Sequence, residues 1–211
     1  DRRAAVATGV SLGCDTALRA AGVRIDATGL DILHATRPAV VIANHQSALD
    51  PLVMATLLRA DFTIVAKREA RWDPRAALAT VLLDPVFIDR SNSAASRAAL
   101  AEVTERIRAG LSLLIFPEGT RAPTPVLRPF RKGAFNLALA ARVPIVPVVL
   151  RNTGEILPRH GRTIRPGVVD IRVLDPVVIP DADAIDAVVS TLHRRYAQTL
   201  AAWPQKESPH A

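Results

Sequence analysis

The chain has 211 residues, of which 49% are apolar and 22% are charged. This length supports one domain with a sizeable core, and the composition excludes a disordered chain. The net charge of +7 suits nucleic acid, anionic lipid headgroups or anionic substrates, and the total alone does not choose among them.

The chain begins with a predicted helical segment at residues 1–21. Its start, DRRAAVAT, has neither an initiator Met nor a signal-peptide core, so it looks like a cut boundary, and a membrane anchor or fused domain upstream stays open. The Ala-rich pattern predicts that this helix continues through ALRAAGVRI. The sequence GVSLG at 9–13 matches a hydrolase nucleophile elbow, but it lies in this helix rather than after a strand, which argues against an elbow at Ser11.

Short β-branched runs and helical stretches then alternate along the chain. The predicted strands are 39–43, 62–66, 86–88, 112–116, 144–149 and 168–174, the last an edge strand by its alternation. The prolines of the fifth strand predict an edge or a bulge. One predicted helix starts with Asp50 as its N-cap and Pro51 as N1. A second follows SNS at 91–93 and runs up to Gly110, a third follows Gly133, and the last covers 183–202.

This order predicts an α/β fold in a single domain. We expect a mixed, mostly parallel sheet covered by helices on both faces, with the domain at 22–203 and a flexible tail at 204–211.

No apolar run reaches the roughly 18–20 residues that a spanning helix needs. Cys14 is the only cysteine, which excludes an internal disulfide framework and fits a reducing compartment, and the five dispersed histidines predict no metal site.

Two polar stretches follow predicted strands. NHQSALD at 44–50 follows the first strand, and FPEGTR at 116–121 ends the fourth. Ligands in open α/β sheets bind beyond the carboxyl ends of the strands, so the two stretches share one crevice if these strands are parallel. His45 and Asp50 have a bland interpretation, a loop residue and a helix cap, and a functional one, a general base held in one tautomer by a carboxylate.

NHxxxxD followed by FPEGTR resembles the glycerolipid acyltransferases, specifically the 1-acyl-glycerol-3-phosphate acyltransferases. FIDR at 87–90, VPIVPV at 143–148 and the basic segment PFRKGAFNLA at 129–138 are similar to further family blocks in the same order. The resemblance covers the chain from about Gly22 to Pro180. Asp84 and Pro85 stand before FIDR where the family often has glycines, which puts acyl-chain length and acceptor size in doubt.

The resemblance implies an enzyme that moves a fatty acyl group from acyl-CoA or acyl carrier protein to the sn-2 hydroxyl of 1-acyl-glycerol-3-phosphate, giving phosphatidic acid without a cofactor. His45 would be the base and Asp50 its orienting carboxylate. Glu118 would help to build the acceptor site or pair with a neighbouring Arg. The implied substrate-binding residues are Arg90, Arg121, Glu118, Gly119 and Thr120, with Lys67 and Lys132 as additional phosphate contacts.

Several alternatives stay open. Glycerol-3-phosphate, another lysophospholipid, or a mannosylated or aminoacylated lipid could be the acceptor, and a membrane-binding module without catalysis is the rival from another class. A nucleic-acid binder is disfavoured because the arginines are scattered and aromatics make up only 4% of the chain. Lipid substrates predict a peripheral protein on the cytoplasmic face of a membrane, and the oligomeric state is not predicted.

Overall fold

The computed structural model describes residues 2–68, 85–88, 93–122 and 126–203. Within these ranges no helix is long and apolar enough to cross a membrane. The helices are α1 (Arg2–Ala20), α2 (Leu30–Ala35), α3 (Asp50–Leu58), α4 (Ser93–Arg108), α5 (Gly133–Ala141), α6 (Thr153–Ile156) and α7 (Ile185–Ala201). The strands are β1 (Val23–Thr28), β2 (Val40–Ala43), β3 (Phe62–Lys67), β4 (Val86–Ile88), β5 (Ser112–Ile115), β6 (Ile145–Arg151) and β7 (Gly167–Val173).

These strands form one mixed sheet in the order β1-β7-β6-β2-β5-β3-β4. The neighbours from β6 to β4 pair in parallel, whereas β7 is antiparallel to β6 and parallel to β1. The predicted mixed, mostly parallel sheet is therefore confirmed. Because β2 and β5 are adjacent and parallel, with Ile42 opposite Ile115, their carboxyl ends lie at the same edge of the sheet.

Helices cover both faces of the sheet, as predicted. On one face, Cys14 and Leu18 of α1 pack with α3 in the core that includes Val41. On the other face, α4, α5 and α7 pack in the core that includes Val40 and Ile42. Successive residues of β2 thus point into different cores, which is the pattern of a central strand buried on both faces.

Several local predictions of elements are confirmed. Val103 and Ile107 of the α4 stripe are fully buried, and Gly110 has a φ of 98° after the end of that helix, as a C′ glycine does. The GVSLG stretch lies inside α1, so Ser11 is not on a nucleophile elbow. The predicted tail at 204–211 lies outside the described residues.

One helix prediction and one strand prediction were wrong. The segment after Gly22 does not continue the first helix, because Gly22 turns the chain with a φ of 74° and Val23 starts β1. Strand β1 is itself at an edge, and its apolar residues alternate accordingly. Strand β7, predicted at the edge, lies between β1 and β6 instead.

Strand β6 is also interior rather than at an edge, but its antiparallel pairing shifts by one residue beside the prolines, as at a bulge, since Val148 is opposite Val173 and Ile145 is opposite Val177. The carbonyl of Pro147 accepts the N–H of Leu174 at 2.9 Å, one residue beyond the end of β7. Pro147 therefore lies opposite Leu174, just beyond the end of β7, so its missing N–H costs the sheet a single bond at the point where that ladder ends.

The junction between β1 and α2 provides a stability test. Gly29 has a φ of 78°, and a Cβ there would lie 2.9 Å from the carbonyl oxygen of Val173. We expect Gly29→Ala to lower the free energy of unfolding by about 1–3 kcal/mol. Gly9→Ala in α1, where a Cβ would meet nothing within 4 Å, should raise it by up to about 1 kcal/mol. Urea unfolding measures both, and equal midpoints for the two variants would contradict this account of the β1–β7 junction.

Candidate active site

The two predicted motifs meet where β2 and β5 end. His45 lies two residues after the end of β2, and Phe116 directly follows β5. Their rings stack with centroids 4.2 Å apart and an interplanar angle of 21°. Ala122, just after FPEGTR, donates its N–H to the carbonyl of His45 at 2.7 Å. The expected convergence of NHQSALD and FPEGTR is therefore present.

The carboxylate of Asp50 holds the imidazole of His45. Its Oδ2 lies 2.7 Å from Nδ1 of His45, and it also accepts the N–H groups of Gln46 at 2.7 Å and Ser47 at 2.8 Å. Asp50 is fully buried, whereas the His45 side chain keeps 18% of its surface exposed. An ionised carboxylate only accepts hydrogen bonds, so a neutral imidazole in this contact carries its hydrogen on Nδ1 and has its lone pair on Nε2.

The predicted capping role of Asp50 was wrong. Helix α3 does begin at Asp50 with Pro51 in its first turn, but no side chain caps the N-terminus. The Asp50 carboxylate points backward along the chain, to His45 and to the N–H groups of residues 46 and 47. The residue that starts the helix therefore fixes the preceding loop rather than the helix that follows.

Glu118 joins two segments of main chain. Its Oε1 accepts the N–H of His45 at 2.7 Å, and its Oε2 accepts the N–H of Arg128 at 3.1 Å. The side chain is 2% exposed, and this burial raises the pKa of Glu118, although the two main-chain N–H groups favour its charged form. Within the described part of the chain, Glu118 forms no ion pair with an arginine guanidinium, and its contact with Arg128 is to the main-chain N–H.

The rest of FPEGTR forms a tight turn beside His45. Gly119 has a φ of 72° and donates its N–H to the carbonyl of Phe116 at 3.0 Å. Thr120 and Arg121 are half-buried. Nη1 of Arg121 lies 3.4 Å from the carbonyl of Arg159. The turn brings these three predicted substrate-binding residues to the edge of the sheet where His45 lies.

The other predicted cations are placed differently. Nζ of Lys132 is exposed and lies 2.6 Å from Oδ1 of Asp186 in α7. Lys67 is the last residue of β3, next to β5 in the sheet. Arg90 lies outside the described residues. Among the residues that are described, no group of three or more His, Cys, Asp or Glu side chains is arranged to hold a metal ion.

Sequence reasoning missed two side chains that shape the site. Phe116 was read only as the end of a strand, although it stacks on His45. Asn44 is fully buried, and its side-chain amide exchanges two hydrogen bonds of 2.8 Å with the N–H and carbonyl of Leu150 in β6. The sequence did carry a signal for Asn44, namely an amide side chain directly after a buried strand and before the histidine. A buried amide needs hydrogen-bond partners, so such a residue is expected to join neighbouring segments.

Replacement of the buried carboxylate tests the Glu118 contacts. Glu118→Gln turns one acceptor toward a main-chain N–H into a donor, so we expect a loss of about 1–3 kcal/mol in the free energy of unfolding. Because the pKa of Glu118 is raised in the folded state, the native form binds more protons than the unfolded form above pH 4.5. The contribution of Glu118 to the free energy of unfolding therefore falls as pH rises. The loss of unfolding free energy caused by Glu118→Gln should accordingly become smaller at higher pH.

Urea unfolding from pH 4.5 to 8 measures this difference, with Glu105→Gln as the control. Glu105 lies on the exposed face of α4 and pairs with Arg108. A cost at Glu118 no larger than that at Glu105 would show that the two main-chain contacts contribute little.

Comparison with known proteins gives the family. A sequence model described as Acyltransferase matches residues 24–151. The human 1-acyl-sn-glycerol-3-phosphate acyltransferase alpha is 36% identical over 157 residues, which cover 74% of this chain and 56% of that protein. A coconut (Cocos nucifera) 1-acyl-sn-glycerol-3-phosphate acyltransferase is 34% identical over 174 residues, covering 81% of this chain and 56% of that protein.

A solved structure agrees with these sequence matches. The crystal structure of the 1-acyl-sn-glycerophosphate (LPA) acyltransferase PlsC from Thermotoga maritima superposes with a TM-score of 0.80 at 26% identity, covering 98% of this chain and 85% of that one. The chain spans about half the length of the two curated relatives named above. Because the family model matches more than half of its residues, the chain belongs to the acyltransferase family.

Proposed function

We propose that this chain transfers a fatty acyl group from acyl-CoA or acyl carrier protein to the sn-2 hydroxyl of 1-acyl-glycerol-3-phosphate, giving phosphatidic acid. The 2.7 Å contact between Nδ1 of His45 and the buried Oδ2 of Asp50 carries this proposal. It leaves Nε2 as a base on a partly exposed ring at the edge of the sheet where ligands bind. The activities named for the human, coconut and Thermotoga maritima proteins support the choice of acceptor.

The chemistry needs one base and no covalent enzyme intermediate. Nε2 of His45 takes the proton of the acceptor hydroxyl while its oxygen attacks the thioester carbonyl. The C–S bond then breaks, and the thiolate leaves with the proton from His45, so that ester and thiol are the products. Asp50 stabilises the imidazolium formed in between, and base catalysis of this kind contributes about 10²–10⁴ in rate.

The acceptor phosphate requires cations near His45. We propose Arg121 for this role, because its turn is hydrogen-bonded next to His45 and a guanidinium can bind two phosphate oxygens. Gly119 and Thr120 belong to the same turn and would line the acceptor site with it. Arg90 stays in the proposal on the family resemblance, and Lys67 on its place at the end of β3. Lys132 would have to leave Asp186 to reach a phosphate.

Glu118 acts in this proposal through the main chain. Both of its oxygens already accept N–H groups, from His45 and from Arg128, so its contribution to the acceptor site is to hold these two segments in place. A carboxylate that faced the phosphate directly would repel it, and the inward orientation of Glu118 avoids that repulsion.

A lipid acceptor places the enzyme on a membrane surface, and we propose the cytoplasmic face. The loop at 157–166 supports this part of the proposal. It carries Arg159, Arg162 and Arg165 without an acidic residue, and Ile164 is 37% exposed among them. The loop touches the site, since its first carbonyl accepts the Ser47 hydroxyl at 2.8 Å. Basic and apolar side chains together favour anionic bilayers.

Variants of the catalytic pair test the reaction. We expect His45→Ala to abolish thiol release from oleoyl-CoA in the presence of lysophosphatidic acid. Asp50→Asn should fold, since its amide oxygen can accept the three N–H bonds while its NH₂ takes the place of Oδ1, but it removes the charge that stabilises the imidazolium. We expect it to lose about 10²–10⁴ in kcat. Thiol release and chromatography of the lipid product measure both effects.

The choice of acceptor separates the alternatives. Parallel assays with glycerol-3-phosphate, with lysophosphatidylcholine and with no acceptor should show little release compared with lysophosphatidic acid. Release that needs no acceptor would indicate a thioesterase. A folded His45→Ala variant with wild-type activity would remove this base from the mechanism.

Removal of charge from the loop tests the membrane part separately. We expect Arg159→Gln, Arg162→Gln and Arg165→Gln together to weaken sedimentation with vesicles that contain phosphatidylglycerol by about tenfold or more, since each basic residue near the surface contributes about 1 kcal/mol. The charge-matched control replaces Arg97 and Arg194, which are exposed on α4 and α7, and Arg142, which is exposed directly after α5. Equal losses in the two triple variants would assign binding to net charge rather than to this loop.

A further inference from the structure

Side chains add to the pairing of β2 with β6 just before His45, where the parallel register runs on to Ala43 opposite Val148. Ile42 lies opposite Pro147 in the parallel register. In a regular parallel ladder with this register, the carbonyl of Ile42 accepts the N–H of the residue after Pro147, which is Val148. The preceding ladder step is regular, since Val40 donates its N–H to the carbonyl of Pro144 at 2.9 Å.

The hydroxyl of Tyr196 binds both main-chain groups of the next ladder position. It accepts the N–H of Val148 at 2.9 Å and donates to the carbonyl of Ile42 at 2.8 Å. Tyr196 belongs to α7 and is fully buried. Burial raises the pKa of its phenol well above the usual value, so the hydroxyl keeps the hydrogen that it donates to Ile42.

At the following position of the ladder, the side chain of Asn44 pairs with β6 in place of a main-chain group. Its amide exchanges two hydrogen bonds with the main chain of Leu150. Two side-chain groups, the Tyr196 hydroxyl and the Asn44 amide, therefore add hydrogen bonds between β2 and β6 at the end of β2. The next N–H, that of His45, goes to Glu118 on the other side, next to β5.

Helix α7 also supports the second partner of Glu118. The ring of Phe130 packs edge-on against Tyr196, with centroids 5.0 Å apart, and against His193, with centroids 5.1 Å apart. Phe130 lies two residues after Arg128, whose N–H is bound by Glu118. One face of α7 thus contacts both the end of β2 and the loop beyond FPEGTR.

We propose that Tyr196 is a positioning residue for His45: its hydroxyl, bonded to both Ile42 and Val148, fixes the end of β2 on β6 and so sets how the following chain places His45 against Glu118 and Phe116. This inference rests on the proposed acyl transfer for its kinetic readout. Tyr196 lies beyond residues 24–151, the part of the chain that the family model matches, so the last helix contributes to the site from outside that region.

The test compares Tyr196→Phe with Ile107→Val at a temperature where unfolding curves show both variants folded. Ile107 is fully buried in the same core but lies on α4. We expect Tyr196→Phe to lower kcat roughly 10- to 100-fold with KM values for donor and acceptor within about twofold, because it displaces the base and leaves the rest of the substrate contacts in place. Ile107→Val should keep the wild-type kcat.

A spectroscopic readout keeps this test independent of the reaction. The Cε1–H resonance of His45, assigned by its absence in His45→Ala, should shift in Tyr196→Phe and stay in place in Ile107→Val. Because Tyr196 is the only tyrosine, labelling with 3-fluorotyrosine changes this residue alone and keeps its hydroxyl, and we expect that protein to retain kcat. If wild type transfers no acyl group, the proposed function fails while the resonance still tests the positioning.

Two results would overturn the proposal. One is a folded Tyr196→Phe protein with wild-type kcat and an unmoved His45 resonance. The other is an equal kcat loss in Ile107→Val, which would indicate a general effect of core substitutions. If Tyr196→Phe does not fold, Asn44→Asp gives the same test at the neighbouring position, where it replaces the Nδ2 donor to Leu150 by an acceptor, and an unmoved His45 resonance there overturns the proposal as well.

Discussion

Three N–H groups converge on one buried oxygen, Oδ2 of Asp50, and the conformation of the loop after β2 depends on that convergence. Two of the donors are main-chain groups of Gln46 and Ser47, and the third is the imidazole of His45. A buried carboxylate is costly unless it is hydrogen-bonded, so few other loop conformations could keep Asp50 buried and stable. The contact that positions the base is thus the same contact that folds the loop.

The sheet supplies the opposite side of the site. Adjacent parallel strands β2 and β5 deliver His45 and Phe116 to one edge, and Glu118 then ties the main chain of His45 to the loop beyond FPEGTR. Its raised pKa shows that burial opposes the charge that these contacts stabilise. The site therefore combines two buried carboxylates with distinct tasks, since Asp50 orients a ring and Glu118 orients main chain.

The sequence predicted the central strands, the helical layers and the meeting of the two motifs, because a continuous apolar run is a local signal and parallel strands place their ends together. It did not predict β1, whose half-buried alternation follows directly on a helix. It also assigned Asp50 to the wrong hydrogen bonds, since a cap and an inward-facing carboxylate have the same local sequence. Tyr196 could not be found this way, because 154 residues separate it from Ile42 and only packing joins them.

The tautomer of His45 is the most direct test of this account. Nitrogen-15 spectra of histidine-labelled protein, compared with spectra of His45→Ala, identify which ring nitrogen of His45 carries hydrogen in the neutral form. The account predicts hydrogen on Nδ1, bound to Asp50, and a lone pair on Nε2 that is free to accept the acceptor's proton. Hydrogen on Nε2 in neutral His45 would contradict the role of Asp50 as the residue that orients the base.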